Sequence, residues 1–457
     1  MNRNEVEKII CGVRDLAAKK GINASFVMHK EISHLMRIGN NSVSLNTSES
    51  LVRLDIEVFK GKKSGKHTQM GEISGSEYVE KALEIAVIKA DNSAENAFEM
   101  PIPEVHKSIR HSEQYDEALE NVDPQFKADA YKEIIEKVGN KYNFSGAWSS
   151  GSVELFITTT KNQNTAWHLG TDMQFNLVLK HPQKKWELKE TQTGWQLKEF
   201  STIRAIENLN RLLSVYENNE GIKLEPGNYK VAFGADAIAE IMAMAAETGF
   251  NGRAYEEKQG WTTNAKIGDQ ILSEKITVSD LPNNNNTFGY VFDLTGHERK
   301  PFVFVENGKL INFAYDAVTA AKFNKPATGH TTETLSLAVS GGKDSDCAID
   351  ASKEYGRVIY VPALHYMGLP NPGKGVFTGS SRFNGLLIEN GKIIGPVFSA
   401  RITDTFKNVF SNILRISENV QSANISHTYA RRAPMALSVP TLIIADNVKI
   451  TDSADSF

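Results

Sequence analysis

The sequence predicts an α+β fold: an N-terminal α/β domain with antiparallel strands, followed by a larger, mainly-β C-terminal domain. Three observations carry this. Helical and alternating apolar patterns interleave up to about residue 216. A polar stretch, Glu217–Gly227 (ENNEGIKLEPG), then interrupts them. Beyond it, one alanine- and methionine-rich helical segment precedes short apolar runs separated by Gly, Asn and Pro. The expected domains are therefore 1–225 and 226–457. With 457 residues and 40% hydrophobic content, the chain can build two cores.

Each element follows from a local pattern. Val6, Ile9, Ile10, Val13, Leu16 and Ala17 share one helical face, and Gly21 ends the run. Val52, Leu54, Ile56 and Val58 alternate with Arg53, Asp55 and Glu57, as a half-buried strand requires. Gly61–Gly65 is a turn, a return strand runs to about Ile73, and Ser76 is expected to cap the next helix. Residues 91–115 are polar with two prolines and read as a surface connection. Helices over 126–138 and 202–216 flank strands at 153–160 and 174–179. Past the boundary comes a helix over 235–247. Two segments echo each other, Val303–Asn312 (VFVENGKLIN) and Leu386–Gly395 (LLIENGKIIG). Their Asn-Gly pairs suit type I′ hairpin turns, with Glu306/Lys309 and Glu389/Lys392 expected to face each other as ion pairs.

Composition excludes several functions. The 51 Lys+Arg against 55 Asp+Glu, a net charge of −4, leave no basic footprint for nucleic acid. Two cysteines cannot make a disulfide framework or a cysteine zinc cluster. The charged N-terminus (MNRNEVEKII) and the lack of any run of about 18 apolar residues predict a cytoplasmic protein without a membrane span. No two histidines stand three or four apart on a predicted helix, and there is no GxSxG elbow. Ser340–Ser345 (SGGKDS) has the form of a phosphate loop, yet only hairpin-like sequence follows it, so it reads as a glycine turn. The glycine-rich stretches Gly368–Gly379 (GLPNPGKGVFTG) and Ala327–Thr332 (ATGHTT) could expose main chain to an extended peptide. Arg431-Arg432 reads as a solvated pair.

From about Gly249 onward the sequence resembles the TldD/PmbA family, the modulators of DNA gyrase. The resemblance rests on a succession: GFNGRAYEEKQGWTTNAKIGDQI, ITVSD, VFVENGKLINFAYDAVTAAKF with ATGH, RVIYVPALHYMG, and VFTGSSRFNGLLIENGKIIGPV. VRLDIEVFKGKKSGKHTQMGEISGSEYVEKALEIA matches more loosely in the N-terminal half. In the TldD branch, a HExxxH helix and a later cysteine imply zinc peptidase chemistry. Here the corresponding helix contains no histidine, and Ala243, Met244 and Thr248 stand near the motif positions. Residues 378–388 contain no cysteine, and Glu240 and Glu247 cannot build such a site alone.

The resemblance is thus to the PmbA/TldE branch. It implies a non-catalytic subunit without catalytic residues, metal ligands or cofactor of its own, zinc belonging to a TldD-type partner. The expected partners are that metallopeptidase subunit, or a second copy in a homodimer, and an extended peptide. Candidate peptide-binding residues are His330, His365, Gly375, Thr378 and Gly379. Two other readings remain open: an autonomous hydrolase assembling His330, His365 and a carboxylate, and a homo-oligomeric scaffold with no peptidase partner.

Overall fold

The computed structural model describes residues 3–184, 186–331, 336–426 and 432–455. Helix α1 (Arg3–Lys19) leads into a long hairpin of β1 (Asn23–Gly39) and β2 (Ser42–Lys60). Its turn, Asn40-Asn41, has φ of 50° and 65°, which asparagine tolerates. The apolar alternation predicts only the part of β2 from Val52 onward. Residues 42–50 are polar or exposed on both faces, and β1 carries Lys30, Glu31, His34 and Arg37 among its apolar residues. β3 (Lys63–Met70) returns along β2 and is covered by α2 (Ser76–Asn92). Ser76 is the first residue of α2 rather than its cap, which is Gly75 and offers no side-chain hydrogen bond.

The N-terminal half continues with β4 (Ile109–His111), α3 (Glu117–Glu120), α4 (Pro124–Val138), β5 (Asn143–Thr159), β6 (Thr165–Lys180), β7 (Glu187–Gly194) and α5 (Thr202–Tyr216). The helix starts follow the local chemistry. Asp123 accepts the Gln125 N–H at 2.8 Å with Pro124 at the first helical position, and Ser201 accepts that of Arg204 at 3.2 Å. The seven strands form one sheet in the order β3-β2-β1-β5-β6-β4, with β7 also on β6. All its pairings are antiparallel except β4 with β6.

The second half contributes β8 (Gly227–Gly234), α6 (Ala235–Gly249), α7 (Gly252–Glu256), β9 (Val278–Asp280), β10 (Phe302–Glu306), β11 (Lys309–Leu310), α8 (Ala317–Phe323), β12 (Leu337–Val339) and α9 (Ala348–Tyr355). Then follow β13 (Arg357–Val361), β14 (His365–Asn371), β15 (Val376–Ser381), β16 (Leu386–Glu389), β17 (Lys392–Pro396), β18 (Ala400–Thr405) and α10 (Phe406–Ser411). β19 (Ile413–Ile416), β20 (Val420–Asn424), β21 (Ala436–Pro440) and β22 (Leu442–Ser453) complete the order. One six-stranded sheet runs β11-β10-β9-β12-β21-β20; a nine-stranded sheet runs β14-β15-β18-β22-β8-β13-β16-β17, with β19 on β22. The fold is α+β.

Helix α6 explains the alanine-rich segment. Ile238, Ile241, Met242 and Ala245 share one core with Val231 and Phe233 of β8 and with Leu437 and Val439 of β21. A helix wedged between two sheets needs small residues for close approach. Among the described residues, no helix is long and apolar enough to cross a membrane.

Both Asn-Gly turns form as expected, with φ of 47° and 75° at Asn307-Gly308 and 49° and 81° at Asn390-Gly391. The ion pairs expected across them do not form among the described residues, although the residues stand opposite in register. Glu389 instead accepts from Arg357 Nε at 3.3 Å. The SGGKDS segment is structural. A Cβ on Gly342 would lie 2.3 Å from the Ile416 carbonyl oxygen, and the Gly342 N–H donates to Ser417 O at 2.8 Å. The glycines permit this close packing.

Candidate functional site

Three connected cavities of about 520, 570 and 390 Å³ run along the polar face of β6 and β7. The middle one lies between β7 on one side and α6 and β20 on the other. It shares Glu190 and Asp236 with the first cavity, and Gln174, Asn176 and Asn424 with the third.

Two strand edges open into this cleft. Among the described residues β7 pairs with β6 alone. The Asn384 amide accepts the Lys189 N–H at 2.9 Å and donates to its carbonyl at 2.6 Å, so Lys189 directs its main chain away from β6. By strand alternation Thr191 and Thr193 point the same way, toward the cleft. Among the described residues β20 pairs with β21 alone. Ile425 N donates to Met435 O at 2.9 Å, so alternation turns the main chains of Ser422 and Asn424 outward, and both residues line the middle cavity.

Carboxyl groups gather at the α6 side of the cleft. Asp236 and Glu240 are four residues apart on the one face of α6 that the core leaves free. Thr191 Oγ1 donates to Asp236 Oδ2 at 3.1 Å. Burial raises the carboxyls of both Asp236 and Glu240, and the charge of Asp236 raises Glu240 further. Across from them, burial lifts Glu190 to about 7 against hydrogen bonds from Asn208 and Gln192. Near neutral pH Glu190 therefore takes up a proton readily.

The residues expected to hold peptide do not line this cleft: the β14–β15 pairing brings His365 beside Thr378 and Gly379, while His330 stands apart from them. His330 is 2% exposed, stacks on Phe302 at 4.4 Å, and its Nδ1 bonds Asp280. Asp280 also takes two 2.6 Å bonds from Arg299, and these, with His330, hold its carboxyl below the usual range. His365 stands on the edge strand β14, edge-on to Tyr366 and Phe383. Burial lowers its pKa, and no partner for its Nδ1 is found among the described residues. Gly375, at φ 64°, packs against Trp261, where a Cβ would meet Trp261 Cβ at 2.9 Å. Thr378 and Gly379 sit in β15, whose main chain is taken on both sides by β14 and β18.

Thr332 and Arg431 lie outside the described residues. Arg432 is not solvated: it is 2% exposed and grips Asp172 through Nε and Nη2 at 2.7 and 2.8 Å. Sequence reasoning weighed Glu240 but missed Glu190, Thr191 and Asp236. The one available signal was an i, i+4 pair of acids on an otherwise apolar helix.

Ala243, Met244 and Thr248 offer neither imidazole nor carboxylate, so these positions do not fit a zinc ion. Among the described residues, no group of three or more His, Cys, Asp or Glu is arranged to hold a metal. Residues 226–452 match the family model of the PmbA/TldA metallopeptidase C-terminal domain. Through this domain the chain belongs to the TldD/PmbA family. No curated protein matches it.

Solved structures share the fold of this TldD/PmbA chain over nearly its whole length. TldE from Thermococcus kodakarensis is 17% identical with a TM-score of 0.81, covering 97% of this chain and 100% of that one. A protein described as a modulator of a DNA gyrase, from Thermotoga maritima, is 18% identical with a TM-score of 0.76, covering 98% and 100%. Another so described, from Bacteroides thetaiotaomicron, is 15% identical with a TM-score of 0.76, covering 97% and 98%.

Proposed function

We propose that this chain is a non-catalytic, PmbA/TldE-like subunit that pairs with a TldD-type metallopeptidase and helps hold an extended peptide. The observation that carries the reading is the pair of strand edges, β7 and β20, opening into one cleft. Strand addition to such edges binds main chain of almost any sequence, which suits unfolded substrates. The helix beside the cleft supports a binding role, since it presents carboxyls but no imidazole. The main chains of Thr191 and Ser422 are the expected anchors, in place of Gly375–Gly379.

The test is binding of a fluorescent, unstructured peptide by the purified chain, alone and with a TldD-type protein. Thr191→Pro and Ser422→Pro each remove one outward N–H and are expected to weaken binding by about tenfold, roughly 1.4 kcal/mol. Full-strength binding by both variants, or peptide cleavage with stoichiometric zinc by this chain alone, would sink the proposal.

A further inference from the structure

The β7 edge is open over a short stretch only. Asn384 fills the place opposite Lys189, because its amide takes both main-chain groups that a neighbouring strand would use. A strand added to this edge therefore bonds Thr191 and Thr193, and its last place before Asn384 lies opposite Glu190. There the added chain has to leave the sheet.

The two faces of β7 meet different surroundings. Thr191 points to α6, where its hydroxyl donates to Asp236. Glu190 points the other way, to α5, and accepts from Asn208 Nδ2 at 3.2 Å. Side chains directly opposite each other in a sheet share a face. The residue opposite Glu190 therefore sends its side chain toward α5, whichever way the added strand runs.

On that side lies the first cavity, of about 520 Å³, a size common among ligand pockets. Its polar groups Glu190, Asn208 and Asp236 are shared with the middle cavity and so stand where it joins the cleft. Its interior is apolar. Leu212 and Val215 of α5, Ile349 of α9, Tyr360 of β13 and Ile393 of β17 line it, packed half-buried on the core beneath. The exposed side chains of Arg211 and Asp346 stand at its rim. An apolar guest completes the cover of these half-buried residues. A polar one would lose its water there without a full set of partners.

We infer that the first cavity is a side-chain pocket, taking a bulky apolar residue of the extended peptide at the place opposite Glu190 where the chain leaves β7. The inference rests on the reading of the cleft given above and narrows it. The β7 main chain binds any sequence, and the cavity selects segments that carry a large aliphatic or aromatic residue. Such residues are mostly inside folded proteins and bare in unfolded ones. The pocket therefore reads unfolding as well as extension.

Fluorescence anisotropy of the full chain tests this with two labelled, unstructured peptides of serine, threonine and glycine. They differ at one central residue, phenylalanine in one and serine in the other. The phenylalanine peptide is expected to bind tighter by about tenfold or more. Ala348→Phe, at the first residue of α9 on the cavity wall, fills the pocket, and Leu212→Asn makes its lining polar. Each is expected to bring the ratio of the two affinities to about twofold or less, with far-UV circular dichroism unchanged. Equal affinities of the unmutated chain for the two peptides, or a ratio that both folded variants preserve, overturn the pocket. If Thr191→Pro still weakens both peptides in that case, the cleft reading survives. Binding of neither peptide removes the cleft reading and the pocket with it.

Discussion

His111 and His168 approach Nδ1 to Nδ1 at 2.9 Å, with rings stacked 5.1 Å apart. That geometry holds one proton between two nitrogens, so the contact is lost once both rings are protonated and donor faces donor. Burial lowers both pKa values, and His111 adds to the depression at His168, while the charge of Glu113 partly offsets it at His111. Tyr290 packs edge-on to His168, and the nearby Gln114 amide donates to Asn284 O and Thr287 O, so the pair lies where the two halves of the chain meet. A depressed histidine takes up its proton more readily when unfolded. Its stabilisation is thus complete above the ordinary value of 6.5 and is lost as pH falls through the folded pKa. Urea midpoints should drop between about pH 7.5 and 5.5. His111→Asn should cost about 1 kcal/mol at the higher pH and flatten that slope. An unaltered slope in the variant would remove the pair from the explanation. None of this was legible in the sequence, because the partners stand 57 positions apart and only the β4–β6 pairing joins them.

At the scale of elements, the two Asn-Gly hairpins show what local sequence reveals and where it stops. Both turn types were readable, since Asn-Gly at positive φ is a property of those residues alone. Their surroundings were not. A Cβ on Gly308 would lie 2.3 Å from Leu272 O and 2.5 Å from Ser273 O, both backbone atoms. A Cβ on Gly391 would meet only the flexible Lys353 side chain, at 2.8 Å for its Cγ. Thermal melts should therefore separate the pair. Gly391→Ala should cost only the left-handed penalty of about 1–2 kcal/mol, and Gly308→Ala clearly more; equal losses would contradict this. The same limit hid β1 and the outer part of β2. Their stability comes from neighbours in the sheet, so their own residues carry no strong alternation. Helices α5 and α6 were legible because each has one apolar face or an apolar body of its own.

For the molecule as a whole, charge buried far along the chain fastens one half to the other. Arg432 bonds Asp172 of β6, its N–H donates to Glu31 of β1 at 2.6 Å, and its carbonyl meets His29 Nε2 at 3.2 Å. Removing one member of such a pair leaves the other charge buried and uncompensated. Arg432→Met is therefore expected to cost about 3–5 kcal/mol and to broaden or split the calorimetric transition. A single transition at the wild-type temperature would refute the fastening role. The sequence suggests a division near residue 225; the strands of the first sheet end at Gly194 and those of the other two begin at Gly227. The apolar packing does not sort so cleanly. Leu386 and Ile388 of β16 belong to the core built by α4, α5, β5 and β6, and the Tyr216 hydroxyl donates to Gly385 O at 2.9 Å. An expression clone that stops or starts at that linker would carry off half of a shared interior. Its product would meet water with a raw leucine-isoleucine seam, so the shortest unit worth cloning is the full chain.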